Sequence, residues 1–430
     1  MARVDDPVTN AADRLLKSFK RPATLLIAVS GGSDSTGLLV ALATLCATGR
    51  YPQITLRACT VDHALRAGSA GEASDVAALC ARHGILHVIR RWTGPKPATG
   101  LQAAARARRY ELLVEAAAET GADAILSGHT RDDQTETVAM RAARAPDGIG
   151  LSGMADAVLL KGIVWLLRPF LEVDRASIRN FLTARGEGWV DDPSNLNPRF
   201  ERVRVRSQGD VVPFESVAVD RLSMAQRAAD FLAASIRTER SLYAITPAAI
   251  EIVLADPAAW RGLLLLAAAA GGRAHVLEAR SAARLRAFLA SGTLSRLTAG
   301  RVVFDRRRDG LYLYRECRGI APLLVRAGEA ATWDGRYHVL NRAARAIVVC
   351  AVGEGVRTTE ADGLTGPAAR AAWAAAHLEF EDGGAVLEGV AAIEPSLAPY
   401  ADFLPRFDLP VAQVLADIVG SRRFASPPNE

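Results

Sequence analysis

No part of this chain restricts its fold more than Thr24-Leu25-Leu26-Ile27-Ala28-Val29-Ser30-Gly31-Gly32-Ser33-Asp34-Ser35. An apolar, β-favouring run ends in a glycine loop, and from Thr36 to Leu42 apolar residues recur at helical spacing. The expected unit is strand, tight loop, helix. Two adjacent glycines let the backbone take positive φ and come close to a ligand, while the opening helical turn leaves N–H groups unpaired. Such a loop attracts anions. The hydroxyls of Ser30, Ser33 and Ser35 and the carboxylate of Asp34 suit phosphate together with Mg²⁺. Neither GxxxxGKS/T nor GxGxxG is present, so phosphate has to be held without a loop lysine. Taken alone, the loop is equally well an ordinary glycine turn with a Ser cap.

The chain beyond the loop decides between these readings. From Thr24 to about Arg206, strand-like and helix-like segments alternate, the pattern of a parallel sheet covered by helices. The strands expected are Leu25–Val29, Ile54–Val61, Leu86–Arg90 and Ala124–Ser127. The helices expected are Thr9–Phe19, Ser35–Thr48, Glu72–His83, Leu101–Thr120, Asp132–Arg144 and, with an Asp N-cap, Asp174–Arg185. In an open α/β sheet ligands bind beyond the carboxyl ends of the strands, which singles out the loops after Val29, Val61, Arg90 and Ser127.

The fold expected is α/β, a doubly wound and mostly parallel sheet, followed by a small helical domain and a C-terminal α+β region. Boundaries fall at 1–208, 209–293 and 294–430. Ser207 to Pro213 reads as a linker, Val219 to Ala290 is rich in Ala, Leu and Arg at helical periodicity, and Arg301–Asp305 with Leu311–Arg315 reads as a β-hairpin. Five scattered cysteines without a CxxC pair argue for a reducing compartment and against structural zinc. The apolar run Gly262–Ala270 is too short to span a bilayer, so a cytoplasmic protein without a membrane partner is expected. Fifty-two Lys and Arg against 47 Asp and Glu leave +5, which permits a nucleic-acid partner without requiring one.

Each strand end carries polar groups. Asp62-His63-Ala64-Leu65-Arg66 comes after the second strand, and Gly128-His129-Thr130-Arg131-Asp132-Asp133-Gln134-Thr135-Glu136-Thr137 after the fourth. Asp133 and Glu136, three apart, share a helix face. One such group is readily a helix cap, but independent turns would not all collect acids, His and Arg on one sheet edge.

On these residues the chain resembles the tRNA(Ile)-lysidine synthetases of the PP-loop ATP pyrophosphatase superfamily. SGGSDS, DHALR, LQAAARARRY, GHTRDDQTET and the later DDPSN carry the resemblance, which is specific from about Leu25 to Arg206. It implies an adenine nucleotide alpha hydrolase-like fold and a ligase reaction. ATP adenylates the C2 oxygen of the wobble cytidine in a CAU-anticodon tRNA(Ile) and releases pyrophosphate. Free L-lysine then attacks C2 through its side-chain amine and expels AMP. The residues suit that chemistry. Ser30, Gly31, Gly32, Ser33 and Ser35 cradle pyrophosphate and Asp34 is a Mg²⁺ ligand. His63, Arg66 and His129 are cationic candidates beside the phosphates. Asp132, Asp133 and Glu136 suit either the lysine ammonium, with one taking its proton, or Mg²⁺.

Three positions depart from the family pattern: Ala64 where glycine is usual, Gln102 where Glu is common, and Arg144-Ala145-Pro146-Asp147 where many members have RGSG. Arg106, Arg109, Arg202, Arg204 and Arg206 are expected to meet tRNA phosphates or simply to form a solvated charged face. Arg306-Arg307-Arg308 is a similar case, whereas Trp165, Trp189 and the cysteines are expected in the core. A homodimer is left open. Two alternatives stay beside the main reading: a tRNA thiolase of the same superfamily, and a tRNA-binding homologue without catalysis. Cys46, at helical spacing with Leu42 and Leu45, speaks against the first. The intact Ser30–Ser35 and Asp132–Glu136 motifs speak against the second.

Overall fold

The computed structural model describes residues 6–65, 68–143, 149–191, 220–353, 363–387 and 389–430. They fall into two compact units, Met1–Arg221 with Ser426–Glu430, and Leu222–Ala425.

In the first unit, α1 (Pro7–Ser18) is started by Asp6, whose carboxylate accepts from the N–H groups of Val8 and Thr9, with Pro7 at the first helical position. The sheet is laid down by β1 (Ala23–Ala28), β2 (Ile54–Asp62), β3 (Leu86–Arg91), β4 (Ala124–Ser127), β5 (Ala157–Leu160) and β6 (Val164–Leu167). Its order within this unit is β5-β6-β4-β1-β2-β3. All neighbours run parallel except β5, which is antiparallel to β6. The consecutive residues Leu25, Leu26 and Ile27 have no exposed surface. Since alternate side chains point to opposite faces, the sheet is covered on both. The cover includes α2 (Ser33–Ala47), α3 (Ser69–Arg82) and α4 (Leu101–Thr120), with α1 and α6 (Arg175–Thr183) backing α2. Gly37 allows α6 to come close: a Cβ there would stand 2.4 Å from Ile178 Cγ2. The strand order reverses at β1, with β2 on one side and β4 on the other, which puts a crevice at the carboxyl ends of these three strands.

Two strands, β5 and β6, were not expected from the sequence. They form a hairpin with the three-residue loop Lys161-Gly162-Ile163, in which Lys161 (φ +53°) and Gly162 (φ +68°) both take left-handed backbone and the Ile163 N–H donates to the Leu160 carbonyl at 2.8 Å. Among the residues expected in the core, Trp165 is buried but Trp189 is half-exposed, with the Arg179 guanidinium 5.7 Å above its ring. Cys59 and Cys80 are buried, whereas Cys46, Cys317 and Cys350 are only partly so.

The second unit differs from the division drawn at residue 293. The segment 209–293 supplies α7 (Arg221–Ser235), α8 (Pro247–Ala255), α9 (Pro257–Ala270) and α10 (Ala279–Ala290), but also β7 (Arg237–Glu239) and β8 (Leu242–Ile245). These strands join β9 (Arg296–Ala299), β10 (Val302–Arg307) and β11 (Gly310–Arg315) in one antiparallel sheet of order β7-β8-β11-β10-β9. A cut at 293 would separate hydrogen-bonded partners. Further on, β12 (Leu323–Val325), β15 (Ile347–Ala351) and β16 (Ala376–Phe380) form one sheet, and β13 (Ala330–Trp333), β14 (Tyr337–Asn341) and β17 (Ala391–Pro395) another. Val325, Trp333, Val339, Ile347 and Val349 make a shared core. The alanine-rich stretch Ala368–Ala376 splits between α11 (Gly366–Trp373) and the start of β16, and α12 (Leu409–Val419) comes later. No single helix among the described residues is long and apolar enough to cross a membrane.

Candidate active site

The glycine loop lies where β1 gives way to α2. Gly31 has φ +84°, and Gly32 is the helix N-cap without a side-chain cap, so the first N–H groups of α2 have no side-chain acceptor there. Ser35 braces the turn: its Oγ accepts from the Ser30 N–H at 3.1 Å, donates to the Gly32 carbonyl at 3.2 Å and meets Ser30 Oγ at 3.2 Å. Ser33 Oγ donates to Asp34 Oδ1 at 2.9 Å. From the segment after α6, the Val190 N–H donates to the Gly31 carbonyl at 2.9 Å, so this strap shares the loop's backbone.

At the end of β2, Asp62 turns the chain by accepting from the Ala64 N–H at 2.8 Å. Ala64 has φ +50°, the left-handed backbone that a glycine takes without strain, which accounts for the glycine usual at this point of the motif. His63 stands edge-on to Trp92, ring centres 6.2 Å apart, and its buried Nδ1 has no hydrogen-bond partner among the described residues. Burial, helped by the Arg109 charge beside it, pushes the imidazole below its ordinary pKa despite the opposing pull of Asp62. That shift favours the uncharged imidazole at His63.

The third group sits after β4. Gly128 packs directly on the glycine loop: a Cβ there would stand 2.6 Å from the Asp34 carbonyl oxygen and 2.9 Å from the Ser35 nitrogen. His129 Nδ1 and Ser127 Oγ are 2.9 Å apart. Helix α5 (Arg131–Ala142) begins one residue before the expected Asp132 start; its cap is Thr130, and Asp133 completes a capping box by accepting from the Thr130 N–H at 2.9 Å. Gln134 ties the following loop down, donating to the Met154 carbonyl at 3.0 Å and accepting from its N–H at 2.6 Å.

One residue joins these groups. Arg175, the first residue of α6, donates through Nε to Asp34 Oδ2 at 2.9 Å, and its terminal nitrogens stand 3.5 Å from Asp133 Oδ1 and 3.9 Å from Glu136 Oε1. Its backbone N–H donates to Asp132 Oδ2 at 2.9 Å. The glycine loop and the acid cluster thus converge on a single guanidinium, which sequence reasoning did not single out. The available signal was Asp174, the expected cap, which does cap α6 by accepting from the Ser177 N–H at 2.7 Å and so points Arg175 at the first turn.

Ser30 to Ser35, His63, His129, Asp132, Asp133 and Glu136 therefore lie at the ends of the three adjacent strands β1, β2 and β4. Arg109 lies by His63. Arg106 is exposed with its guanidinium 5.1 Å over the Tyr110 ring, whereas Arg108 is tied to Glu111 and Glu115 at 2.9 and 3.1 Å. Arg66, Arg202, Arg204, Arg206, the 144–147 stretch and most of the DDPSN segment lie outside the described residues. Among the described residues, no three His, Cys, Asp or Glu side chains stand together as a metal centre.

Comparison with known proteins identifies what is built here. A family model described as a PP-loop domain matches residues 5–213. The tRNA(Ile)-lysidine synthase of Rhizobium meliloti is 46% identical over 441 residues, covering 98% of this chain and 97% of the relative. The chain belongs to the tRNA(Ile)-lysidine synthase family. A second member, from Mesorhizobium japonicum, is 40% identical and covers 98% of both chains. The U34-tRNA thiolase NcsA from Methanococcus maripaludis is a solved structure with some likeness, at 16% identity and TM-score 0.41, covering 49% of this chain and 76% of that one. Family membership spans the second unit as well as the first, although the motifs that carried the resemblance end near Arg206.

Proposed function

We propose that this chain uses ATP to convert the wobble cytidine of a CAU-anticodon tRNA(Ile) to lysidine. The C2 oxygen attacks the α-phosphorus, pyrophosphate leaves, and the side-chain amine of free L-lysine then attacks C2, losing a proton as AMP departs with the former C2 oxygen. The observation that carries this reading is the seat of Arg175. An acid cluster beside a phosphate-type loop accommodates a cationic side-chain end, which is what an incoming lysine presents.

In this reading Ser30, Gly31, Gly32, Ser33 and the α2 N-terminus hold the departing pyrophosphate, with Ser35 keeping the turn in shape. Arg109 and Arg175 supply positive charge near the phosphates, and His63 and His129 act as hydrogen-bonding groups. Asp133 and Glu136 receive the ammonium and one of them takes the proton released in the attack, while Asp132 fixes Arg175 through its backbone. Asp34 fits Mg²⁺ as a single hard-oxygen ligand. That ion habitually combines one or two carboxylates with substrate phosphates and water, and it would neutralise charge on the leaving group. Arg175 has to release Asp34 for this to happen.

Catalysis belongs to residues 1–208. The segments 209–293 and 294–430 grip the tRNA, with Arg106, Arg109, Arg202, Arg204 and Arg206 contributing phosphate contacts. The protein acts in the cytoplasm with tRNA and free lysine as partners. Burial argues against sulfur delivery, because it pushes the Cys46 thiol up, Cys59 to about 12 and Cys80 to about 11, away from nucleophilic thiolates.

The test is direct. Purified protein with ATP, Mg²⁺, lysine and the CAU-anticodon tRNA(Ile) is expected to yield AMP, pyrophosphate and a lysidine-containing nucleoside by mass spectrometry. A requirement for a sulfur donor, or no pyrophosphate with all four components present, would overturn the reading.

A further inference from the structure

The second unit contains a polar cavity that the proposed chemistry does not use. Ser241, Tyr243, Arg315, Arg336, Tyr337 and Ser396 supply its polar lining, and its volume is about 30 Å³. One water needs roughly 10–15 Å³ on this measure, so there is room for more than a single water.

The charge around it does not balance. Arg315 and Arg336 are 3% and 6% exposed. The carboxylate that both bind is that of Asp334: Arg315 meets it through two nitrogens at 2.9 and 2.8 Å, and Arg336 Nε at 2.6 Å. Among the described residues no other carboxylate is hydrogen-bonded to either guanidinium, so two buried positive charges share one negative charge. Uncompensated buried charge is costly, and an anion removes that cost.

Donors are also left over. Arg336 spends Nε on Asp334 and one terminal nitrogen on the Ala374 carbonyl at 2.6 Å. Its other terminal nitrogen has no acceptor among the described residues, though the side chain lines the cavity. The hydroxyls of Tyr243 and Ser396, on residues 6% and 7% exposed, likewise have no partner among the described residues. Tyr337 and Ser241 share one contact, at 3.3 Å. These donors open on the cavity without a protein acceptor, and several donors converging on one space mark a place for an acceptor-rich guest.

The site is held rigidly. Asp334 has φ +51°, an uncommon backbone for aspartate, and the turn beyond it is wedged against Gly272, where a Cβ would stand 1.9 Å from the Asp334 carbonyl. Arg336 is pinned further between Trp333 and Tyr337, its guanidinium 5.5 and 5.2 Å from their ring centres.

We propose that this cavity binds one small inorganic oxyanion of the phosphate or sulfate type, held by Arg336 with the hydroxyls of Tyr243 and Ser396. The limited volume suits a free ion and not a phosphodiester with its flanking sugars.

The experiment uses the full chain and two probes. Crystals soaked in selenate are expected to show a selenium anomalous peak within hydrogen-bonding distance of Tyr243 Oη and the Arg336 guanidinium. Separately, inorganic phosphate titrated at constant ionic strength against chloride is expected to raise the unfolding midpoint. Tyr243→Phe and Ser396→Ala, both mild changes, should each increase the half-saturating phosphate concentration about 3- to 10-fold, the loss expected for one hydrogen bond. Phosphate at the Gly31–Gly32 loop would be unaffected by either variant. A peak confined to that loop, water alone in the cavity, or dose curves unchanged in both variants would overturn the proposal.

Discussion

Replacing Gly128 by alanine tests whether the close approach of two strand-end loops sets the geometry of the phosphate loop. The new Cβ would lie 2.6 Å from the Asp34 carbonyl oxygen, 2.8 Å from its carbon and 2.9 Å from the Ser35 nitrogen, all backbone atoms. Carbon contacts settle nearer 3.5 Å, so the two segments must separate by about 0.8 Å. Neither has easy room, since Ser127 and Thr130 on either side of the 128–129 turn are fully buried. Overpacking of this kind costs about 1–3 kcal/mol, or roughly 2–10 °C in the unfolding midpoint of a unit of this size. The catalytic effect should be larger, because a displacement near 1 Å at a reacting group costs on the order of 100-fold. Steady-state lysidine formation with labelled lysine is expected to show kcat reduced by that order with tRNA affinity unchanged. Gly188→Ala, where a Cβ meets nothing within 4 Å, serves as the control. If Gly128→Ala kept wild-type kcat and midpoint, the contact would not be what positions Asp34 and Ser35.

Four further outcomes are expected. Asp34→Ala should abolish pyrophosphate release while filter-binding affinity for tRNA stays within a few-fold, since phosphate-loop and tRNA-backbone contacts are separate; a large loss of tRNA binding would contradict this. Arg175→Gln leaves Asp34, Asp133 and Glu136 facing one another without their cation and should lower stability by about 1–3 kcal/mol in urea melts, whereas no change would mean that the guanidinium balances nothing. Ala64→Gly removes left-handed strain of about 1–2 kcal/mol and adds about 0.5–1 kcal/mol of unfolded-chain entropy, so a net gain of about 0–1.5 kcal/mol is expected; destabilisation would refute the strain argument. For His63 the folded-state pKa lies below the ordinary 6.5, so the unfolded chain binds the extra proton first, and its share of stability is complete above pH 6.5 and lost as pH falls through the folded value. His63→Gln should flatten unfolding free energy against pH below 6.5, leaving the similar contribution of His87, and an unaltered slope would show that His63 is not held neutral by burial.

Much of the first unit is readable from residues alone because its signals are local. A β-favouring run, two glycines and a helical repeat specify β1, the loop and α2 within about twenty residues, and polar clusters mark the other strand ends. The hairpin of β5 and β6 escapes because its loop opens on Lys161-Gly162, and nothing in a lysine announces positive φ as an asparagine would. Arg175 escapes for a different reason. It reaches Asp34 across 141 positions in sequence, and no spacing rule relates them. Likewise, β8 looks like an interruption in a helical region until Ile245 is found opposite Leu311, in a strand assigned on sequence to the next domain. The charge state of His63 depends on its burial and on Arg109, neither of which belongs to its motif.

Arg175 has one more consequence, for how the first unit takes up its amine. Three carboxylates already share a positive charge before any substrate arrives. If lysine takes that seat, its binding is an exchange of one cation for another and not the filling of a vacant negative site. Affinity is then a difference between two similar Coulombic energies, so it should be modest and only weakly dependent on salt. Selectivity would rest on what the displaced guanidinium gains elsewhere, and a bound nucleotide's phosphates are a natural destination. Amine uptake would then be tied to the presence of ATP, with a single side chain acting as the link.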